Sequence, residues 1–505
     1  MEHQTLAEAS AALGALAAPL LLLARGRALL LAGLAGVVVA EVGLAYALAP
    51  DAFELVTESA LRVGFALALG VGVLALAVGL VRFPAAAPAV LLVAAPFRLT
   101  VGLGSQEASL LLPLYVGLTA ATAALVYRML RGQVTTPVPL LVAIPASALV
   151  GLTAISLLWA RDLHAGLIEL VFFYFPFAVL LAVVARTRPE RWTGTALATA
   201  LLSLTAVIAA IGLYEAATHD QLVGKHTITF ANAFASYFRV TSLFKDPSVF
   251  GRHVVLGMVV LLVLLWLQRL RPAVGLPLMA LSAAALYFSY SQTSFLALFA
   301  SVLVVGFIAG DMRTRRILVA TAATLALVGG IVVLATVDGE PSNRFTRGRS
   351  SLVRITLPVY ADHPVAGVGI GSQPLVSGQE ADGRPGKHRN ASHTTPFTIA
   401  AELGTLGLLA YAAFLLSTGR ALLLTWRRDR ALGLTLIGCL TSLVVHSLTY
   451  GSFFEDPFVW GMVGLAAAAL VFLPEGATES PLPETRAVRV RAKPFPAQPP
   501  GSPGR

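Results

Sequence analysis

Long runs of apolar residues, separated by short polar connections, make up most of the chain between residues 11 and 473. A run of about 17–25 apolar residues is long enough to cross a bilayer as an α-helix. The pattern predicts such runs at 11–23, 28–49, 61–81, 86–102, 108–127, 138–159, 166–185, 194–217, 250–268, 274–290, 293–310, 315–336, 397–418, 431–449 and 457–473. The first run is shorter than a full span, which also suits a position at the membrane interface. We predict an all-α, polytopic integral membrane protein with about 12–15 transmembrane helices.

The composition supports this prediction. Apolar residues make up 57% of the 505 residues and charged residues 12%, and the mean hydropathy is +0.80. A soluble domain carries about 25% charged residues, so this chain cannot cover a water-facing surface. The composition therefore excludes a soluble enzyme, a disordered protein and a nucleic-acid binder, although the net charge is +10. The single cysteine, Cys439, excludes an intrachain disulfide and a cysteine metal site.

Arginine predicts the orientation of the spans. Short basic connections lie at 25–27, 128–131, 186–191, 269–271, 313–316 and 420–430. The positive-inside rule places them in the cytoplasm of a multi-pass protein of the cell (inner or plasma) membrane. The predicted organisation is N-terminal helices (1–217), a first outer loop (218–249), central helices (250–337), a large outer loop with short helices (338–396), C-terminal helices (397–473) and a disordered cytoplasmic tail (474–505).

The two long polar connections, 218–249 and 338–396, are the candidate site. With their margins they hold six of the nine histidines and many of the arginines on the predicted outer side. Loops of more than about 15 residues without obvious structure are usually functional or disordered. A pair of variable, solvated loops is one interpretation. The joint occurrence of cations and histidines favours the other, an active site that faces outward.

Arginine and histidine together suit one kind of chemistry at a membrane surface. Arginine binds phosphate in a bidentate manner and stays charged, and histidine accepts a proton near neutral pH. These groups suit transfer from a lipid pyrophosphate to an alcohol. Neither loop shows histidine and carboxylate residues at metal-ligand spacing, so we expect no metal and no other cofactor.

Three segments resemble a known family. Residues 354–371, RITLPVYADHPVAGVGIG, are similar to the stretch of O-antigen ligases and related polysaccharide polymerases in which an arginine precedes a His-Pro and glycine-rich turn. Ser392–His393 and ELGTLG at 402–407 resemble the histidine and the glutamate motif that follow in that family. RVTSLFKDPSVF at 239–250 is similar to its arginine-containing helix entry. Thr394, Ser248 and Gln292 depart from the family pattern, which leaves the substrate open.

The resemblance implies a membrane glycosyltransferase. Such an enzyme moves a glycan from an undecaprenyl-pyrophosphate-type carrier to a hydroxyl of a polysaccharide, lipid or protein acceptor outside the membrane. Ligation and polymerisation remain equally open. A transporter or flippase of lipid-linked sugars is the alternative, but the chain shows no internal repeat. A non-enzymatic co-assembly protein is a third possibility.

The same resemblance, weighed against ordinary structural roles, gives the candidate residues. We expect His393 to activate the acceptor. Arg239 and Arg354 are expected to contact pyrophosphate rather than serve as interfacial anchors, with Arg347, Arg349 and Arg252 as further cations. Asp246 either caps the next helix or orients Arg239 or Arg252. The remaining candidates are His363, which holds the turn, Gly367, Gly369 and Gly371, which let the backbone approach a ligand, and Glu402, a costly carboxylate at a span. His446 has no evident partner in the sequence.

Overall fold

The computed structural model of the protein describes residues 2–51, 57–103, 106–133, 136–224, 226–336, 349–382 and 390–475. Within these ranges, twelve helices are long and apolar enough to cross a membrane. The predicted all-α, polytopic membrane protein is therefore confirmed. Arg347 and the predicted tail from residue 476 onward lie outside the described residues.

The first part of the chain forms a helical region interrupted by one small hairpin. Its elements are α1 (Glu2–Leu23), α2 (Arg27–Leu48), α3 (Ala60–Arg82), α4 (Ala87–Ala94), β1 (Leu99–Leu103), β2 (Gln106–Leu110), α5 (Leu112–Leu130), α6 (Leu140–Ile155), α7 (Leu163–Glu169), α8 (Phe175–Ala185) and α9 (Thr193–Thr218). A π-helical turn, Leu170–Tyr174, joins α7 to α8, so that the two form one apolar span.

The second part of the chain contains both long polar connections. Its elements are α10 (His226–Phe234), α11 (Pro247–Trp266), α12 (Pro272–Ser289), α13 (Gln292–Ala309), α14 (Met312–Thr336), α15 (Arg349–Asp362), α16 (Gln373–Asp382), α17 (Thr395–Arg428), α18 (Arg430–Ser447) and α19 (Pro457–Phe472). Helix α10 lies in the first connection, whereas α15 and α16 lie in the second.

Two predicted spans differ from the structure. The run at 11–23 is part of a candidate span of 21 residues, His3–Leu23, because the helix continues through the polar N-terminal residues. The predicted span at 86–102 is wrong. There α4 has only eight residues, which at about 1.5 Å per residue is too short to cross a membrane. Pro96 comes two residues after its end, and β1 begins at Leu99.

Helix α17 has a break near its beginning. Its 34 residues include Gly404, whose φ of +63° and ψ of −157° are not helical. A Cβ at this position would collide with the backbone of Val365 and Ala366. The break therefore lets the second long connection pack directly against the backbone of a membrane helix.

Several arginines near helix ends donate hydrogen bonds to carbonyl oxygens in the last turn of a helix. Arginine in this position satisfies carbonyl groups that lack a partner within their own helix. The bonds are Arg27 Nη1 to Met129 O (3.2 Å), Arg186 Nη2 to Leu21 O (3.0 Å), Arg315 Nε to Phe307 O (2.8 Å) and Arg428 Nη1 to Leu473 O just beyond α19 (2.9 Å). All four arginines lie in or beside the short basic connections of the sequence.

Candidate functional site

A buried carboxylate organises the first long connection. Glu215, in the last turn of α9, is 0% exposed. One of its oxygens accepts hydrogen bonds from the backbone N–H groups of Thr241 and Ser242, both at 2.8 Å, and the other accepts from Leu222 at 3.0 Å. These charge-assisted bonds fix the segment that carries Arg239. Glu215 was not among the candidates predicted from the sequence, although a carboxylate in an apolar span is a usable signal.

Arg239 is half-buried at the point where this connection meets the end of α12. Its backbone N–H donates to Asn232 Oδ1 at 3.1 Å, and its carbonyl accepts from Asn232 Nδ2 at 3.0 Å. The guanidinium Nε donates to the carbonyl of Ser289 at 3.3 Å. Both the backbone and the guanidinium of Arg239 are therefore held in place by named partners.

The sequence left open whether Asp246 caps the next helix or orients Arg239 or Arg252. In the structure it caps the helix, and Arg252 has a different carboxylate partner. Asp246 Oδ1 accepts a hydrogen bond from the backbone N–H of Ser248 at 2.7 Å and caps α11. Arg252 instead pairs with Asp456, at 3.2 Å between Nη1 and Oδ2. Asp456 in turn caps α19 by accepting from Phe458 N at 2.9 Å. The charge that faces Arg252 thus comes from a residue the sequence analysis did not select.

His446 also has a partner that the sequence did not reveal. Its Nε2 donates to the backbone carbonyl of Ser248 at 3.1 Å, which joins α18 to the start of α11. The ring of Tyr450 lies 5.5 Å from the His446 ring and 6.4 Å from the His393 ring, between centroids. Tyr450 therefore connects the end of α18 with the predicted base.

His393 is exposed and has an unusual backbone conformation. Its φ is +52°, in the left-handed region that residues other than glycine rarely adopt. The Ser392 hydroxyl spans His393 and bonds to the backbone of the next residue. It accepts a hydrogen bond from Thr394 N at 3.2 Å and donates one to Thr394 O at 3.1 Å. Strained backbone of this kind concentrates at functional sites. The histidine stands directly before α17, at the end of the bundle that also holds Tyr450.

The glycine-rich turn packs against the protein's own backbone. Gly367, Gly369 and Gly371 have φ values of +66°, +90° and +73°. A Cβ at these positions would collide, respectively, with backbone at Glu402, at Ala160 and at the Ala165–Gly166 peptide. The turn also bonds to α17 through Val368 N to Ala401 O and Gly369 N to Glu402 O, both at 2.9 Å. We expected these glycines to let the backbone approach a ligand. In the structure they allow backbone segments of the protein itself to pack closely.

His363 and Glu402 lie at the two sides of this turn. His363 Nε2 accepts a hydrogen bond from the Arg161 guanidinium at 2.9 Å, and its carbonyl accepts from Gly367 N at 3.1 Å. The Glu402 side chain is 6% exposed, and its Oε1 accepts from the backbone N–H of Gln373 at 3.2 Å. The second connection is therefore tied both to α17 and to the segment before α7.

The remaining predicted cations are less closely tied to the site. Arg354 is exposed on α15 and makes no hydrogen bond or ion pair with another described residue. Arg349 is the first residue of α15. In the described parts of the chain, no group of three or more histidine, cysteine, aspartate or glutamate residues has the arrangement of a metal site. The structure thus joins His393, Tyr450 and His446 in one region and gives no contact from there to Arg354.

Comparison with known families adds one finding. Residues 277–412 match the family model described as O-antigen ligase. The matched segment contains Arg354, the glycine-rich turn, His393 and Glu402, and it leaves out Arg239, Arg252 and Tyr450. A search of curated proteins gives no significant match. Through residues 277–412, about a quarter of its length, the chain is similar to the O-antigen ligase family.

Proposed function

We propose that this protein transfers a glycan from an undecaprenyl-pyrophosphate-type lipid carrier to an acceptor hydroxyl on the outer face of the cell membrane. The observation that carries the proposal is His393. It is an exposed histidine in a left-handed backbone conformation, and it lies inside the segment that matches the O-antigen ligase model. Its neighbour Tyr450 lies just beyond the end of α18, and the cation Arg239 lies in the first connection against the last residue of α12, so neither is at the middle of a span.

The reaction needs a base and a cationic leaving-group site. The acceptor hydroxyl gives its proton to a ring nitrogen of His393 while its oxygen attacks the anomeric carbon of the donor. A new glycosidic C–O bond forms, and the C–O bond to the pyrophosphate breaks. Arg239 and Arg354 compensate the negative charge that grows on the leaving pyrophosphate. Arg347 and Arg349, at the start of the same loop segment as Arg354, supply further positive charge.

The proposed partners are a lipid-linked glycan donor, membrane lipid and a polysaccharide, lipid or protein acceptor. The orientation rests on the short arginine-rich connections, which the positive-inside rule assigns to the cytoplasm. The two long connections then lie on the outer face, where the donor's pyrophosphate meets water while its isoprenoid chain stays in the bilayer.

Transfer by the isolated protein tests this proposal. The purified chain is placed in liposomes with a fluorescent, lipid-linked oligosaccharide and a lipid or glycan acceptor, and the products are separated by mass. We expect a larger glycoconjugate and free carrier pyrophosphate with no other protein present, and neither with His393→Ala. Movement of the donor between leaflets without any new glycosidic bond would contradict the proposal and identify a flippase.

A further inference from the structure

A buried glutamine lies beneath the irregular segment that leads to His393. Gln373 is the first residue of α16 and is 1% exposed. Its side-chain Oε1 accepts a hydrogen bond from the backbone N–H of Ser392 at 3.1 Å. Its Nε2 donates to the backbone carbonyl of Asn390 at 2.9 Å. One amide group therefore holds both ends of the short segment that leads into His393.

The same amide is anchored on the opposite side. Nε2 also lies within hydrogen-bonding distance of Ser377 Oγ, at 2.9 Å, and of Thr356 Oγ1, at 3.1 Å. The backbone N–H of Gln373 donates to Glu402 Oε1 at 3.2 Å. Helices α15, α16 and α17 thus converge on this one residue.

An amide side chain suits both contacts with the segment at any pH, because it always offers one donor group and one acceptor. Ser392 N presents a donor and needs an acceptor, whereas the Asn390 carbonyl is an acceptor and needs a donor. A buried polar group that loses its hydrogen-bond partner destabilises the folded protein. Losing the amide would leave both backbone groups unpaired, and the left-handed conformation at His393 would lose its support.

We propose that Gln373 is a positioning residue that sets the orientation of His393 through the Asn390–Ser392 segment. This inference rests on the proposed function only in taking His393 as the base. Gln373 itself lies beneath the segment and is not assigned any contact with substrate. A residue with this role controls the orientation of the His393 ring and not the affinity for the donor.

Gln373→Glu isolates the contact that matters. The substituted side chain has nearly the same shape, and the Ser377 hydroxyl can turn to donate to its carboxylate, whereas the Thr356 hydroxyl already donates to the Leu352 carbonyl at 2.9 Å. When this carboxyl is ionised, the Asn390 carbonyl faces a second acceptor and the segment shifts, so the variant is compared at a low pH and at a pH well above the ordinary carboxyl pKa. Thr356→Val and Ser377→Ala are matched controls, because each removes a hydroxyl partner of Gln373 and leaves both contacts with the segment. Gln373→Met, which is uncharged and of similar length, covers the case in which Gln373→Glu does not fold.

The first readout is the division between kcat and KM. A displacement of about 1 Å in a catalytic group costs roughly 10²-fold in rate, so Gln373→Glu should lower kcat by about that factor and leave the donor KM within about threefold of its original value. Thr356→Val and Ser377→Ala should retain most of the activity. A parallel loss of donor binding and kcat in Gln373→Glu and Gln373→Met would overturn the inference, since it would indicate general damage to the loop.

The second readout does not depend on transfer. Diethyl pyrocarbonate modifies exposed histidines, and mass spectrometry gives the rate at His393 relative to exposed His226 on α10. We expect this ratio to rise in Gln373→Glu and Gln373→Met and to stay constant in the two controls. An unchanged ratio in the glutamine variants overturns the inference. If His393→Ala retains transfer, the proposed base is wrong, but the ratio still measures whether Gln373 holds the segment.

Discussion

The guanidinium of Arg252 in α11 lies 3.2 Å from the carboxylate of Asp456, and the two side chains are only 4% and 3% exposed. The pair joins the start of α11 to the start of α19. A buried ion pair contributes little compared with apolar packing, but the loss of one partner leaves an uncompensated charge. Arg252 is therefore tied to the integrity of this end of the bundle.

Asp456→Asn should destabilise the protein. Asparagine keeps the helix cap at α19, but it leaves the Arg252 charge unpaired, which costs about 3–5 kcal/mol. Thermal unfolding in detergent micelles would show this as a lower midpoint. Asp429→Asn, which retains the analogous cap of α18, is the matched control and should be nearly neutral. If Asp456→Asn unfolds at the same midpoint as the control, the ion pair does not contribute to stability.

Arginine-to-lysine variants test the pyrophosphate contacts. If Arg239 and Arg354 each hold phosphate oxygens with the guanidinium fork, lysine retains the charge and loses the bidentate geometry. We expect Arg239→Lys and Arg354→Lys to lose most of the transfer activity at normal protein levels in the membrane. Arg313→Lys, at an exposed position in a short basic connection, should be unaffected. Near-normal transfer by both site variants would show that these arginines supply only diffuse positive charge or anchor the chain at the membrane interface.

His393→Ala separates catalysis from binding. A positioned general base contributes on the order of 10²–10⁴-fold to the rate, so transfer should fall by that range while donor binding is largely retained. His388→Ala, in the same loop, should be mild. Turnover and donor-binding assays on both variants decide the matter. A loss of donor binding in step with turnover would move His393 from the base to the phosphate site.

Labelling of single cysteines tests the orientation. Thr227 and Asp362 are exposed residues of the two long connections, and Arg313 is exposed in a short basic one. In a background without Cys439, cysteine at 227 or 362 should react with an impermeant thiol reagent on intact cells. Cysteine at 313 should react only after lysis. The reverse pattern would place the candidate site in the cytoplasm and end its assignment to an outer-face reaction.

The pH dependence of stability tests the environment of Glu455. Burial raises the pKa of this carboxyl, although the nearby Arg98 opposes the shift. The folded state then binds a proton more tightly than the unfolded state. The stabilising effect is complete below the ordinary carboxyl pKa and is lost as the pH rises through the raised value. Glu455→Gln should flatten this decline in unfolding experiments across that pH range. An identical pH profile in the variant would show that Glu455 does not cause it.

The features that were predictable from the sequence depend on neighbouring residues. Span positions follow from apolar run length, and the turn at Gly367–Gly371 was recognisable from its motif. The failure at 86–102 has a local cause as well, since Pro96 interrupts a run that is otherwise apolar. Its composition indicated a span, but the backbone could not continue the helix.

The unpredicted features are contacts between residues that are distant in the sequence. Arg252 and Asp456 meet only when α11 and α19 pack at the same end, and His446 finds the Ser248 carbonyl in the same way. Gly369 needs its lack of a side chain because Ala160, from another part of the chain, lies against it. No local pattern contains this information, so the residue types were predictable but their partners were not.

The arginine bonds at the helix ends link the insertion of the chain to its assembly. Arg27 opens α2, but its carbonyl partner, Met129, belongs to α5, which is synthesised later. Arg186 follows α8 and reaches back to α1. A positive charge near a span directs its insertion as soon as the span is made, whereas these hydrogen bonds form only when the second helix arrives. If the predicted orientation holds, the same side chain acts first as an orientation signal and later as a hydrogen-bond contact between early and late segments.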